Sequence, residues 1–294
     1  MSNLETIIIP RVRDLGGGFH VRRALPAAER RSVGPFVFLD QMGPTSLAPG
    51  VGLDVRPHPH IGLATVTWLF EGEILHRDSL GHVQAIRPGE VNWMTAGRGI
   101  VHSERSDTHQ RERNTTLYGL QCWVALPRED EECEPDFTHQ KASELSTLMS
   151  DGVHIILVAG SFMGLRSTLP TRSPLVYAQL TLQPGVRCLL PAEYDEQALY
   201  IVSGELDVDS EAVHVAGSLL VTRKGANLSI CAGSNGAVVM LLGGAPLDGP
   251  RHMAWNFVSS SQERIRQASD DWLHQRFEPV PEETEFIPLP DSLK

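Results

Sequence analysis

The sequence predicts an all-β protein, built either as a sandwich or as a barrel. Most of its 294 residues fall in short apolar or alternating runs rich in Val, Ile, Leu, Thr and aromatic residues. Gly, Pro and Asp interrupt these runs at short intervals, which is typical of antiparallel strands joined by turns. The hydrophobic share of 41% and the charged share of 21% are those of a folded globular chain.

Ten runs are predicted as strands. In chain order they are Thr6–Pro10, Pro35–Leu39, Ala64–Phe70, Glu90–Met94, Leu117–Leu126, His154–Ala159, Val176–Leu182, Ala198–Val202, Leu219–Thr222 and Val238–Leu242. Ala142–Met149 is predicted as a short helix. A longer helix is predicted over about 260–277, because Ile265, Ala268 and Trp272 recur at helical steps after a serine that can cap it. The remaining tail, 278–294, contains four prolines and is predicted to be extended.

Charge and cysteine content narrow the possible partners. With 36 acidic and 25 basic residues the net charge is −11, which disfavours direct binding to nucleic acid or to an anionic membrane. The apolar runs are far shorter than the ~20 residues of a spanning helix. The four cysteines form no CxxC pair and are expected as free thiols. We therefore expect a cytoplasmic protein that does not associate with membranes.

The chain divides into two similar halves. The segment 127–135 is charged and proline-rich and is predicted as a solvated linker, with domains at 1–134 and 135–294. In each half a strand leads through a Gly-Glu turn to a second strand and a further glycine turn, at Gly72 and Gly89 in one half and at Gly204 and Gly217 in the other. This internal repeat predicts two β domains of one type.

Two histidine-containing pairs in the first half have the spacing of a metal site. His58 and His60 are two residues apart, and His102 and Glu104 follow with the same spacing. Residues i and i+2 of a strand face the same side, so each pair presents two donors together. One such pair also suits an exposed polar strand face. Two pairs on neighbouring strands of a barrel would bring three imidazoles and one carboxylate to a single metal ion.

The second half offers an internal comparison. The positions at the same offsets from its glycine turns are apolar, namely Leu190, Ala192, Ile230 and Ala232. We therefore expect the second domain to lack metal ligands.

The stretch HPHIGLATVTWLFEGEILHRDSLGHVQAIRPGEVNWMTAGRGIVHSE, from His58 to Glu104, resembles the N-terminal domain of the pirin family. The resemblance extends over the whole chain. It implies two tandem cupin barrels, of the double-stranded β-helix or jelly-roll type, with a short C-terminal helix. It also implies iron held through residues matching His58, His60, His102 and Glu104. Ala64 and Trp68 depart from the family pattern, and we expect both to lie near the metal pocket.

The donor set of imidazole and carboxylate suits Fe(II), Mn, Co, Ni or Cu, and zinc stays open. Among the supporting residues, Gln121 is a candidate partner of the metal ligands. Gly97–Gly99 is predicted as a tight turn, with Arg98 as an alternative contact for an anion. His76, Asp78 and Ser79 are predicted to form a hydrogen-bonded turn.

Three functions fit these residues. Several pirin relatives resemble quercetin 2,3-dioxygenase, so the first is a dioxygenase that acts on a flavonol-like aromatic substrate with O₂. Glu104 would then serve as ligand and as general base. The second is a non-enzymatic, iron-binding regulator that docks on a transcription factor or a metabolic enzyme in a redox-dependent way. The third is a cupin whose metal is only structural.

Overall fold

A computed structural model describes residues 2–14 and 20–293 of the chain. Strands dominate the described residues, and the only helix longer than a single turn among them is Gln262–Leu273. The all-β prediction is confirmed. No helix in this described part of the chain is long and apolar enough to cross a membrane.

The strands before the first helix are β1 (Leu4–Ile8), β2 (Arg11–Asp14), β3 (His20–Leu25), β4 (Phe36–Leu47), β5 (Asp54–His60), β6 (Leu63–Glu71), β7 (Ile74–Asp78), β8 (Val83–Ile86), β9 (Val91–Thr95) and β10 (Ile100–Arg105). The strands that follow are β11 (Thr115–Ala125), β12 (Asp136–Gln140), β13 (Ser146–Ser150), β14 (Val153–Phe162), β15 (Leu165–Arg166), β16 (Leu175–Leu182), β17 (Arg187–Leu190), β18 (Glu196–Val208), β19 (Ala212–Val215), β20 (Leu219–Thr222), β21 (Leu228–Gly244), β22 (His252–Ala254) and β23 (Phe257–Ser259). The helices are α1 (Thr108–Arg111) and α2 (Gln262–Leu273), with 3-10 turns at Arg128–Asp130, Ala142–Glu144 and Asp291–Leu293.

The described residues form two compact units. Unit 1 contains residues 2–13, 22–40 and 143–246, and unit 2 contains residues 14, 20–21, 41–142 and 247–293. Neither unit is continuous in sequence, because the chain returns to unit 2 after residue 246. The boundary at 134/135 stays a prediction.

Unit 2 contains a four-stranded sheet in the order β5-β10-β7-β8. Four further strands of unit 2 are neighbours in the order β12-β9-β6-β11. Every residue of β9 is buried, as are the first seven residues of β6, so both faces of these strands are covered. All five tryptophans of the chain belong to unit 2: Trp68, Trp93, Trp123, Trp255 and Trp272.

Unit 1 is built on a sheet whose main path is β1-β20-β18-β21-β16-β14-β13. Its core is a large apolar cluster. Three of the four positions that match the metal residues of the first half belong to this core, namely Leu190, Ile230 and Ala232. The fourth, Ala192, is half-buried. Burial of alkyl side chains supplies the main stabilisation of this region.

Helix α2 confirms the longer of the two predicted helices. Ser261 is its N-cap, and its side chain accepts a hydrogen bond from the Arg264 N–H. Its buried face, with Ile265, Ala268 and Trp272, packs in a cluster within unit 2 that also contains Ile61, Val101, Phe257, Val280 and Leu289. The short helix predicted over Ala142–Met149 is wrong. Only a 3-10 turn forms at its start, and Ser146–Ser150 pairs as β13 with β14.

The predicted linker 127–135 is not fully solvated. Glu131 is only 5% exposed and forms an ion pair with Arg251 at 2.8 Å. Its carboxylate also accepts hydrogen bonds from the backbone N–H and hydroxyl of Ser260 and from the Ser259 hydroxyl. The charge run therefore contains one buried acid whose partners come from the C-terminal segment of the same unit, and sequence position alone does not reveal them.

Candidate metal centre

The two strands that carry the predicted ligands are neighbours. β5 and β10 pair antiparallel, with His102 opposite His58 and Ile100 opposite His60. A bulge between His102 and Glu104 shifts the register, so Glu104 lies opposite Val55. The predicted juxtaposition of the two histidine-containing pairs is therefore present in unit 2.

Three imidazoles meet inside this unit. His58, His60 and His102 are 6%, 1% and 1% exposed, and each offers a ring nitrogen within 4.8 Å of the others. Nε2 of His60 lies 3.2 Å from Nε2 of His102. This is the only group of three or more such donors found among the residues that the structure describes.

Hydrogen bonds on the far side of two of the rings decide which nitrogen is available. Nδ1 of His58 lies 2.9 Å from the Arg56 carbonyl oxygen, and Nδ1 of His60 lies 3.1 Å from the Asn256 carbonyl oxygen. A carbonyl oxygen only accepts, so Nδ1 carries the hydrogen in both rings and donates it. Nε2 of each ring is left with its lone pair directed to the centre of the group.

The electrostatics of the group favour a cation. Burial lowers the pKa of His58 to about 4 and lowers the pKa of His60 and of His102 well below the ordinary value, so the three rings are neutral near pH 7. Nε2 of His60 and Nε2 of His102 lie only 3.2 Å apart, so the ring nitrogens are close enough to share one ion. A metal ion at the centre would be held by these ring nitrogens, and neutral imidazoles suit Fe, Ni, Cu and Zn.

Glu104 lies outside this group of three histidines. Its side chain is buried, and it hydrogen-bonds Gln121 and Thr67, which face each other on β11 and β6. Burial raises the pKa of Glu104 to about 7 against the opposing effect of these two hydrogen bonds. Gln121, a candidate partner of the ligands from sequence, thus contacts the predicted fourth ligand, and the ligand role of Glu104 stays a prediction.

Aromatic rings line the same interior. The Trp123 ring lies edge-on to His60 with centroids 5.2 Å apart, and Phe137 stacks on His76 at 4.4 Å and 14°. The sequence analysis did not predict a role for Phe137, because β12 directly follows the charged segment 127–135 and shows no strand pattern of its own. Nor did it find Asn256, since a backbone carbonyl leaves no signature in residue type.

The two departures from the family pattern, Ala64 and Trp68, are buried residues of β6. Side chains alternate along β6, and Thr67 reaches Glu104 in the interior. Ala64 and Trp68 are an odd number of residues from Thr67, and the pairing of this stretch with β9 is regular, so both project from the opposite face. Their place relative to the metal pocket stays a prediction.

The predicted turns are present. Gly97 has φ +50°, and a Cβ there would lie 2.0 Å from the Cys133 carbonyl oxygen, so only glycine fits. Arg98 in the same turn forms an exposed ion pair with Glu134. Asp78 accepts hydrogen bonds from the backbone N–H groups of Leu80 and His82, which closes the other predicted turn. The four cysteines are free, as predicted.

Comparison with known proteins adds independent findings. A family model described as pirin matches residues 18–124, and one described as the pirin C-terminal cupin domain matches residues 177–278. A pirin-like protein of Caulobacter vibrioides is 48% identical over 98% of this chain and 100% of its own length. A crystal structure of quercetin 2,3-dioxygenase from Acinetobacter baumannii is 32% identical, with a TM-score of 0.88 over 98% of this chain and 97% of that chain.

Proposed function

Because this chain belongs to the pirin family and contains two cupin domains, we propose that it is a mononuclear metal-dependent dioxygenase that cleaves a flavonol such as quercetin. The proposal assigns His58, His60, His102 and Glu104 as ligands and Fe(II) as the metal. A cytoplasmic location is part of the same proposal. The likeness to a quercetin 2,3-dioxygenase supports the substrate class.

One observation carries the proposal more than any other. Three buried, neutral imidazoles each present a ring nitrogen to one point, and the Nδ1 donors of His58 and His60 are already taken by backbone carbonyls. Such a set of three nitrogens leaves coordination positions open on an ion that prefers six. An open site is what catalysis requires, in contrast to a closed structural site.

When bound, the metal supplies a Lewis acid and a template for substrate and oxygen. The protein residues contribute position and proton transfer. Thr67 and Gln121 hold the Glu104 carboxyl group by hydrogen bonds, so one Oε atom is oriented to accept the proton of a substrate hydroxyl. The rings of Trp123 and Phe137 give the interior flat apolar surfaces that suit an aromatic substrate, and burial excludes water.

The test is reconstitution of the metal-free protein, under anaerobic conditions, with Fe, Mn, Co, Ni or Cu in separate samples. Loss of flavonol absorbance and consumption of O₂ are then followed together after oxygen is admitted. We expect turnover with at least one metal, and we expect Glu104→Gln to reduce kcat by 100-fold or more, in the range of about 10²–10⁴ for loss of a general base. Glu112→Gln is the matched control, because Glu112 is exposed at the end of α1.

A second candidate is the iron-binding regulator that docks on another protein. The observation in its favour is that unit 1 has apolar core residues at three of the positions matching the metal residues, so that this half of the chain is suited to a scaffold or docking role. Metal binding without turnover under all five conditions, together with specific capture of a defined partner, would replace the enzyme proposal with this one.

A further inference from the structure

His76 contacts one of the three histidines from the neighbouring strand. It lies on β7, which pairs with β10 so that His76 is opposite Glu104 and Asp78 is opposite His102. His76 is 4% exposed, and its Nδ1 lies 3.4 Å from Nδ1 of His102. One of these two nitrogens must carry the hydrogen and the other must accept it.

Asp78 decides which nitrogen of His76 carries the hydrogen. Its Oδ2 lies 3.0 Å from Nε2 of His76, and its side chain is fully buried. The Asp78 carboxyl group also accepts hydrogen bonds at Oδ1 from the backbone N–H groups of Leu80 and His82, so it acts as an acceptor towards the ring of His76. Nε2 of His76 therefore donates to the carboxylate, and Nδ1 of His76 keeps a lone pair.

The tautomer of His102 follows from this chain of bonds. Because Nδ1 of His76 accepts, Nδ1 of His102 must donate, and Nε2 of His102 is left with its lone pair facing His60. His58 and His60 receive the same constraint from backbone carbonyls, which cannot change with residue type. Of these three histidines, His102 is the one whose tautomer is set by a side chain.

We propose that His76, oriented by Asp78, is a positioning residue that fixes His102 in the Nδ1–H tautomer and thereby aims its Nε2 at the metal. The Phe137 ring stacks on His76 and holds the plane of the imidazole. The carboxylate also polarises His76, which strengthens its hydrogen bond to His102 and makes the His102 ring a stronger donor to the metal. The consequence for metal affinity rests on the metal site of the proposed function, whereas the tautomer is a property of the chain alone.

The tautomer is measured directly in metal-free protein labelled with ¹⁵N at histidine, by long-range ¹H–¹⁵N correlation spectra. In the wild type we expect His102 to be protonated at Nδ1. In His76→Phe the ring that stacks on Phe137 is kept while the acceptor is lost, so we expect His102 to shift to Nε2–H or to a mixture. In His76→Asn the amide oxygen can accept at the position of Nδ1, and we expect the wild-type tautomer to return.

Metal affinity is measured separately with Zn(II) and Co(II) by competition with a chelator. We expect His76→Phe to weaken binding by about 10–100-fold, the range usual for loss of a hydrogen-bond partner of a metal ligand, and His76→Asn to recover most of it. The Co(II) absorption bands should shift in His76→Phe and return in His76→Asn. A purely structural role for His76 would not produce this pattern of rescue.

His82→Gln is the matched control. His82 also hydrogen-bonds the Asp78 carboxylate and its ring is tilted against Phe137, but its side chain is 42% exposed and, among the described residues, it makes no hydrogen bond or ring contact with His102. We expect wild-type affinity and the wild-type His102 tautomer in this variant.

Three results would overturn the proposal: an Nε2–H tautomer of His102 in the wild type, an unchanged tautomer in His76→Phe, or equal losses in His76→Phe and His82→Gln. The first of these needs no variant, so it decides the matter even if His76→Phe does not fold. A wild type that binds no metal while His102 keeps the predicted tautomer would count against the proposed function and leave the positioning role supported.

Discussion

At the scale of single residues, the site is defined by what lies behind each imidazole. Backbone carbonyls of Arg56 and Asn256 accept from two Nδ1 atoms, and His76 stands behind the third. These contacts orient three lone pairs before any ion binds, which lowers the conformational entropy lost on binding. A cation is the species that suits the point on which the three ring nitrogens converge.

Replacing one of these rings should therefore remove the metal and keep the fold. We expect His102→Ala to reduce the metal content from one ion per chain to background, with a loss of affinity greater than about 100-fold, since the loss of a ligand exceeds that of a ligand's partner. Metal content is measured by mass spectrometry and the fold by far-UV circular dichroism. His109→Ala, at an exposed position on α1, should retain the wild-type content. Full metal content in His102→Ala would contradict the ligand assignment.

The sequence predicted the three histidines because the spacing of a strand is a local property. Strand pairing then placed His58 opposite His102, as expected. The carbonyl of Asn256 could not be predicted, because it lies 196 residues from His60 and every residue type has such a carbonyl. The contact of His76 with His102 was not predicted, because the motif that contains His76 was interpreted only as a hydrogen-bonded turn around Asp78.

At the scale of elements, the C-terminal tail supports the strand that carries His102. Val101 and Ser103 project from the face of β10 opposite His102, because side chains alternate along a strand. Val101 packs in the cluster that contains α2, and the Ser103 hydroxyl donates to Glu283 at 2.8 Å. Arg105 forms two hydrogen bonds to the same Glu283 carboxylate, so the tail holds β10 at two successive outward positions.

Loss of the Glu283 charge should therefore destabilise the protein in a pH-dependent way. Burial acts to raise the pKa of Glu283, but hydrogen bonds from Arg105 and Ser103 bring it below the ordinary 4.5. The contribution is thus fully present above pH 4.5 and is lost as the pH falls through the lower folded-state pKa. At pH 7 we expect Glu283→Gln to lower the free energy of unfolding by about 1–2 kcal/mol.

Denaturant unfolding measured from pH 7 down to pH 3 checks this prediction. The difference between wild type and Glu283→Gln should shrink towards zero at the acid end. Glu282→Gln is the control, because the Glu282 side chain is 82% exposed and its ion pair with Arg77 should contribute little. A constant difference across the range would show that packing, and not charge, accounts for the effect.

Helices and strands were predicted correctly where the sequence pattern was long. The prediction failed where strand pairing determined the structure. Helix α2 has a buried stripe and a serine cap, both of which are local signals. The segment after Ala142 has weak helical spacing, but Ser146–Ser150 pairs antiparallel with β14 along its whole length. Pairing in this hairpin overrides a weak helical preference.

At the scale of the whole molecule, the two units differ in what fills their interiors. Unit 2 places polar and aromatic side chains around three imidazoles, whereas unit 1 has a continuous apolar core. The repeat in the sequence predicted this difference through the apolar residues at the matching positions. It could not predict that the segment after residue 246 would belong to unit 2, because that depends on packing of α2 against residues such as Ile61 and Val101.

Metal should consequently stabilise one unit selectively. An ion that binds only the folded state adds RT ln(1 + [L]/Kd), which is about 2.7 kcal/mol when the free metal is 100 times its Kd. We expect calorimetry with Zn(II) or Ni(II) to show this shift in the unfolding of unit 2, and His102→Ala to remove it. Stabilisation that persists in His102→Ala would indicate that the ion binds elsewhere in the chain.

The confinement of all five tryptophans to unit 2 provides a built-in optical reporter. Fluorescence excited at a wavelength that spares tyrosine will come from this unit alone, while Tyr177 and Tyr200 belong to unit 1. Trp123 lies 5.2 Å from the His60 ring, within reach of quenching by an open-shell ion bound to that imidazole. Metal loading, and the folding of the half of the chain that holds the metal, can thus be followed in the unlabelled protein.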